Sequence, residues 1–162
     1  MELWDLYRKD GTPAGCELVR GQPMPKGLFH IVSGVVVRHT DGTYLLMQRD
    51  LHKDGWPGLW EMGASGSILK GETPLQGALR ELKEECGLDG EDMELLFVCH
   101  NEVTFYWHYL CVTDCPKDSV TLQEGETIAY KWVSREELLA VINSDKFVPT
   151  QRQRWLPFLN QI

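Results

Sequence analysis

The chain has no long apolar stretch and few basic residues for its length. Its 162 residues include 16 Lys and Arg against 24 Asp and Glu, a formal net charge of -8. Sequence-independent binding to nucleic acid relies on basic side chains that neutralise phosphates, so this balance argues against a polymeric nucleic acid partner. No segment reaches the roughly 20 apolar residues that a membrane-spanning helix needs. We therefore expect no contact with nucleic acid polymers or with membranes.

The sequence also lacks the features of a secreted protein. Its first fifteen residues have neither a basic start nor an apolar core, so a signal peptide is not predicted. The five cysteines are an odd number and form no C-x2-C pair, which favours reduced thiols and a cytoplasmic location. Two alternatives remain for Cys111 and Cys115: small buried thiols, or a zinc site completed by His100 or His108.

What the sequence does contain is one strongly signalled helix. Thr73 and Gln76 have the spacing of a capping box, Pro74 suits the first helical position, and Gly87 is placed to end the helix. Gly77, inside the helix, indicates a close backbone approach. Apolar residues recur every three or four positions and predict one stripe that faces a core: Leu75, Ala78, Leu79, Leu82 and Cys86.

The opposite face of this helix carries three glutamates, Glu81, Glu84 and Glu85, at positions i, i+3 and i+4. Like charges at this spacing destabilise a bare helix, and Arg80 supplies only one compensating charge. A hard divalent cation with oxygen ligands would balance the three carboxylates. A solvated acidic face is the alternative interpretation.

Nine residues around this helix follow the pattern G-x5-E-x7-R-E-U-x-E-E-x-G-U, in which U is aliphatic. They are Gly66, Glu72, Arg80, Glu81, Leu82, Glu84, Glu85, Gly87 and Leu88. This pattern resembles the box of the Nudix hydrolase family. The resemblance implies a Nudix pyrophosphohydrolase that uses Mg2+ or Mn2+. Its substrate would be a small molecule with a diphosphate linkage, of the nucleoside-diphosphate type or related to it.

The order of predicted elements is that of an α/β protein, and the resemblance implies a Nudix-like α/β/α sandwich with a mixed β-sheet. The length fits one domain over residues 1–162, with a short N-terminal extension at 1–28. We expect a strand near 2–7 followed by a loop. A strand at 30–38, buried on both faces, is predicted to pair with the strand at 43–49. The last amphipathic helix is predicted from about 150 to 156.

The resemblance also assigns roles to individual residues. Gly66, Glu81, Glu84 and Glu85 would hold the metal, and Arg80 would orient the carboxylates. Substrate would contact Arg49, Trp60 and Glu102. The general base is either a box glutamate or a carboxylate on a distant loop, for which Glu102, Glu124 and Glu126 are candidates and Glu126 is preferred.

The sequence departs from the family pattern at two positions, and two alternative functions remain. Ala64 and Ser65 stand before Gly66 where the family has other residues. The flanks of the box also resemble isopentenyl diphosphate isomerase, but Ser65 and Ser67 occupy the positions of its cysteine and metal-binding histidine, so no isomerase activity is predicted. A module that binds a nucleotide without cleaving it is the other alternative. The particular diphosphate and the oligomeric state are not predicted.

Overall fold

The structure is a computed structural model that describes all 162 residues, Met1–Ile162. It contains nine strands, three α-helices and a final 3-10 turn. The elements are β1 (Leu3–Tyr7), β2 (Pro13–Val19), β3 (His30–His39), β4 (Tyr44–Arg49), β5 (Trp60–Met62), β6 (Ala64–Ser67), α1 (Pro74–Cys86), β7 (Met93–His100), β8 (Thr104–Thr113), β9 (Thr127–Val133), α2 (Arg135–Ile142), α3 (Pro149–Trp155) and a 3-10 turn at Leu156–Gln161.

Strands β3 to β9 form one mixed sheet around β3. β3 pairs in parallel with β8 over its whole length and antiparallel with β6. It is buried on both faces, as the run of β-branched residues predicts. The predicted hairpin with β4 is reduced to one residue pair, Arg38 and Tyr44, because β6 occupies the rest of that edge. β4 pairs instead with β5 and β9.

Helices cover both faces of this sheet, which confirms the predicted α/β/α sandwich. On one face α1 contributes Ala78, Leu82 and Cys86 to a core with β3 and β4. On the other face a second core contains Leu138 and Ile142 of α2 and Trp155 of α3: its full set of buried members is Val36, Tyr44, Leu46, Met62, Phe97, Leu110, Val133, Leu138, Ile142, Phe147, Trp155 and Ile162. No helix is long and apolar enough to cross a membrane.

The N-terminal segment differs from the expected strand and loop, because residues 13–19 form a second strand. β1 and β2 make a separate antiparallel hairpin in which Leu6 and Leu18 are buried. The hairpin docks beside the segment that precedes α1: Lys70 donates its backbone N–H to Leu3 at 2.8 Å. Trp4 also stacks on His30 with ring centroids 4.5 Å apart. The N-terminal extension therefore lies against the entrance to α1.

Helix α1 begins and ends where the sequence predicts. Thr73 and Gln76 form both hydrogen bonds of the capping box, and Gly87 adopts a left-handed conformation at the C-terminus. A Cβ on Gly77 would lie 2.5 Å from Cγ2 of Ile68, so the close neighbour of this glycine is a side chain rather than the expected backbone. Of the predicted apolar stripe, Ala78, Leu82 and Cys86 are buried, Leu79 is half-buried and Leu75 remains 38% exposed.

Candidate active site

One cleft collects most of the residues predicted to act on substrate. It has a volume of about 170 Å3 and lies between α1, β6, the N-terminal hairpin and the loops around residues 53 and 126. Its lining includes seven of the predicted site residues: Arg49, Gly66, Arg80, Glu81, Glu84, Glu85 and Glu126. The structure therefore brings the box helix and two distant segments of the chain to one place.

Arg80 joins the carboxylates of the box. Its Nε and Nη2 donate to the two oxygens of Glu72 at 2.8 and 3.0 Å, a geometry that gives strong, oriented hydrogen bonds. Its Nη1 donates to Glu81 at 2.6 Å and to Glu84 at 3.3 Å, and Nη2 also reaches the carbonyl of Ser67. These contacts raise the pKa of Arg80 and lower that of Glu72. One guanidinium thus fixes three glutamates and a strand carbonyl.

Glu81 lies directly against the backbone of Gly66. A side chain at position 66 would collide with the Glu81 carboxylate, so only glycine leaves room for it. Burial raises the pKa of Glu81, and the hydrogen bond from Arg80 opposes that effect. The close packing brings the Glu81 carboxylate and the backbone carbonyls of β6 together. A metal ion bound by both groups would require this proximity.

Glu85 departs from the expected exposed face of α1. Only 9% of the residue is exposed. The side of α1 that carries Glu85 packs against β6 and is therefore not open to solvent. Its Oε2 accepts one hydrogen bond, from the backbone N–H of Ser65 at 3.1 Å. Burial and the nearby Glu61 carboxylate raise its pKa well above the usual range. Glu84, by contrast, has a side chain that is 47% exposed.

Glu61 is a buried carboxylate of the site that the motif did not reveal. It accepts two hydrogen bonds from Nη1 of Arg49, at 3.2 and 3.1 Å, and one from Nε2 of Gln151 at 3.2 Å. Burial raises its pKa although Arg49 lies beside it. In the sequence, the only indication of this role was the position of Glu61 directly after Trp60, in the segment before the box. Arg49 is therefore held by an internal carboxylate at the edge of the cleft.

The distant acidic loop supplies Glu126 and not Glu124. The Glu126 side chain lines the cleft and forms an ion pair with Lys53. Its backbone carbonyl accepts from the N–H of Asp50 at 2.8 Å, which ties the two loops together. Glu124 is exposed and does not line the cleft.

Two predicted substrate contacts lie elsewhere. Trp60 packs beside the second core with Nζ of Lys131 4.3 Å above its ring, and Glu102 is exposed at the turn between β7 and β8. Neither lines the cleft, so their contact with substrate stays a prediction. Ser65 and Ser67 do line it, whereas sequence reasoning considered them only as departures from a family pattern.

The chemistry of the cleft fits a hard divalent cation. Carboxylate oxygens are the ligands that such ions prefer, and Glu85 is buried with no cationic side chain paired to it. No three His, Cys, Asp or Glu side chains converge to enclose an ion, and Cys111 and Cys115 accordingly form no such group. In the cleft the reason is that Arg80 holds Glu81 and Glu84.

The sandwich thus carries a glutamate-rich cleft beside α1, in the arrangement that the box predicts. The family model of the NUDIX domain matches residues 28–154. The chain therefore belongs to the Nudix family, as the box predicts.

Relatives agree with this assignment over most of the chain. An uncharacterized Nudix hydrolase of Listeria monocytogenes is 35% identical over 164 residues, which cover 100% of this chain and 94% of that protein. The CTP pyrophosphohydrolase of Escherichia coli is 34% identical over 112 residues, 69% of this chain and 80% of that protein. The isopentenyl-diphosphate Delta-isomerase of Corynebacterium diphtheriae is 25% identical over 158 residues, 91% of this chain and 86% of that protein.

A solved structure supports the fold. The structure of DR0079 from Deinococcus radiodurans aligns with a TM-score of 0.77 and 19% identity, covering 94% of this chain and 98% of that one. At this identity the comparison bears on the architecture alone.

Proposed function

We propose that this protein hydrolyses the diphosphate linkage of a small nucleoside-diphosphate-type or related phosphorylated substrate, with Mg2+ or Mn2+ as cofactor, in the cytoplasm. The observation that carries the proposal is the placement of Glu81, Glu84 and Glu85 around one cleft, with Arg80 and Gly66 fixing their positions. A cleft of this kind combines acidic ligands for a cation with basic side chains for an anionic substrate.

The proposed metal ligands are Glu81, Glu84, Glu85 and the Gly66 backbone. A divalent cation bound there would neutralise phosphate oxygens and lower the pKa of an attacking water. Arg80 positions the glutamates through charge-assisted hydrogen bonds. The buried Glu85 carboxylate, whose pKa is raised in the absence of a cation, would gain most from a positive charge nearby.

Glu126 is the proposed general base. It lines the same cleft as the glutamates of the box but lies on a separate loop. Lys53 forms an ion pair with it and so orients the carboxylate. Proton abstraction from water by a positioned carboxylate contributes typically about 10²- to 10⁴-fold to a rate.

The substrate is proposed to be small and anionic. The cleft is too small for a macromolecule, and Arg20, Arg49 and Lys53 bring positive charge to its edge. The similarity to a CTP pyrophosphohydrolase favours a nucleotide among the possible diphosphates. A screen of nucleoside triphosphates, ADP-ribose, dinucleoside polyphosphates and prenyl diphosphates, each with Mg2+ and Mn2+, would identify it.

The test of the proposed hydrolysis uses Glu84→Gln and Glu85→Gln, with phosphate release measured on the best substrate of the screen. Each change removes one negative charge from the cleft, and we expect a loss of roughly 100-fold or more. Lys83→Gln is the control, since Lys83 lies on the same helix and contacts only the exposed Asp89. Activity of either glutamine variant within threefold of wild type would contradict the proposal. Tight binding with intact ligand recovered would indicate the non-catalytic module instead.

Isomerisation of isopentenyl diphosphate is the second candidate, and the similarity to an isomerase favours it. The cleft does not support it, because Ser65 and Ser67 are poor acids compared with a thiol and Glu102 lies outside the cleft. We expect no dimethylallyl isomer when the protein is incubated with isopentenyl diphosphate and Mg2+ and the carbon skeleton is followed by NMR. An isomer that accumulates in wild type and not in Glu102→Gln would reverse this conclusion.

A further inference from the structure

A second cavity lies on the α3 side of the sheet. It has a volume of about 310 Å3 and is enclosed by the ends of β7 and β8, by α3 and by the 3-10 turn that follows. This volume is at the lower end of the range of small-molecule pockets, roughly 300 to 1,000 Å3. None of its lining residues lines the acidic cleft.

The charge of this cavity is opposite to that of the cleft. No Asp or Glu lines it, whereas Arg154 does, in a protein with a net charge of -8. The Nε of Arg154 is buried without a hydrogen-bond partner. Burial lowers the pKa of Arg154, and no carboxylate lines the cavity beside it.

Tyr106 provides a second donor in the same place. The Arg154 guanidinium lies 4.1 Å from the centre of the Tyr106 ring, so the ring holds the guanidinium in a fixed plane. The Tyr106 hydroxyl accepts a hydrogen bond from Nδ2 of Asn101 at 3.2 Å. Its own proton remains for another acceptor, because a phenol donates as well as accepts. Pro157 and Phe158 give the cavity an apolar wall.

We propose that this cavity binds a small organic oxyanion, a carboxylate or phosphate group attached to a flat apolar body. The oxyanion would accept from the Arg154 guanidinium and the Tyr106 hydroxyl, and the apolar body would lie against Phe158 and Pro157. The cation–π contact holds the guanidinium in place but supplies no counter-charge. An anionic ligand supplies the missing counter-charge.

The experiment is isothermal titration calorimetry of the full chain with phenyl phosphate and with benzoate, which distinguish the two sources of the oxyanion. Inorganic phosphate, which lacks the flat body, is expected to bind more weakly than phenyl phosphate. Each titration is made with Mg2+ and repeated with EDTA. Affinity is expected to be the same in both, because the cavity shares no residue with the acidic cleft.

Three variants locate the site. Arg154→Gln is expected to weaken binding at least tenfold, and Tyr106→Phe about threefold through loss of one hydrogen bond. Arg152→Gln is the matched control, since Arg152 lies on the same helix but donates to the carbonyl of Ser144 outside the cavity. A thermal melt of each variant checks that the fold persists.

The proposal is overturned if neither ring-bearing anion binds wild type. It is equally overturned if Tyr106→Phe and Arg154→Gln both bind as wild type does, or if binding disappears in EDTA, since the anion would then sit on metal in the cleft. Tyr106→Phe changes only one oxygen atom, so if Arg154→Gln unfolds, Tyr106→Phe decides alone, and binding equal to that of wild type then overturns the proposal.

Discussion

Arg80 and Glu72 face each other as a two-pronged ion pair, with Nε 2.8 Å from Oε1 and Nη2 3.0 Å from Oε2. Glu72 precedes α1 and Arg80 lies within it, so the pair fastens the segment before the helix to the helix itself. Glu72 also accepts from the backbone N–H of Leu69 at 2.8 Å. The entry to the box helix and the orientation of its carboxylates therefore depend on the same guanidinium.

Arg80→Lys is expected to lower the free energy of unfolding by about 2 kcal/mol, because one ammonium cannot make the charge-assisted hydrogen bonds of a planar guanidinium. Urea denaturation measures the change. Lys83→Gln breaks an exposed ion pair on the same helix and should cost no more than about 0.5 kcal/mol. Equal stability of Arg80→Lys and Lys83→Gln would show that Arg80 does not organise the segment.

The same pair predicts a pH dependence. The hydrogen bonds from Arg80 lower the pKa of Glu72 in the folded protein, so the stabilisation is present above the unfolded value, about 4.3, and disappears as the pH falls through the folded value. The difference in unfolding free energy between wild type and Glu72→Gln should therefore shrink between pH 6 and pH 3. A difference that stays constant over this range would contradict the pairing.

Gly66→Ala tests the contact between β6 and Glu81. The new methyl group would collide with the Glu81 carboxylate, which is the free end of a side chain and can move. We expect a modest cost, about 1–2 kcal/mol of stability, with a fall of at least tenfold in phosphate release. Gly55→Ala is the control, since a Cβ there meets nothing closer than Nη2 of Arg49 at 4.0 Å. Full activity of Gly66→Ala would exclude a shared ligand position.

Much of this site could be predicted from the sequence because the box is local. Arg80, Glu81, Glu84 and Glu85 lie within two turns of one helix, and its caps were readable from Thr73 and Gln76. The fold class and the long buried strand β3 were readable for the same reason, from one uninterrupted run of β-branched residues.

The parts that could not be predicted depend on contacts between distant segments. Glu61 is held by Arg49 and Gln151, and no spacing along the chain indicates that residues 61 and 151 meet. The burial of Glu85 depends on where β6 packs, and the reduced β3–β4 pairing depends on the same strand. The second strand of the N-terminal hairpin was not predicted, because Gly and polar residues interrupt the alternation of apolar and polar side chains.

Glu85→Gln should make the metal-free protein more stable while it lowers the activity. The pKa of Glu85 is raised in the folded protein, so above the unfolded value of about 4.3 the metal-free fold loses stability as the pH rises toward the folded value. The neutral glutamine removes this penalty while its oxygen still accepts from the Ser65 N–H. In EDTA at pH 7 the variant should melt at a higher temperature than wild type. Mg2+ should raise the melting temperature of wild type more than that of the variant.

The two expected results, the higher melting temperature of the variant in EDTA and the larger Mg2+ shift of wild type, can fail separately. A variant that melts lower in EDTA would show that the ionised Glu85 is already compensated without metal. An equal Mg2+ shift in both proteins would remove Glu85 from the proposed ligands. The corresponding change Glu84→Gln is the control for stability in EDTA, since its exposed carboxylate carries little burial penalty and the melting temperature should change little.

The choice of general base is tested by comparing Glu126→Gln with Glu124→Gln. The two glutamates lie two residues apart on one loop, but only Glu126 lines the cleft. Loss of a positioned base should lower kcat by about 10²- to 10⁴-fold with little change in KM, because the amide still fills the same space. Glu124→Gln should leave kcat unchanged. If Glu126→Gln alters only KM, or if it behaves as Glu124→Gln does, Glu126 is not the base, and the remaining candidates are the glutamates of the box and Glu102.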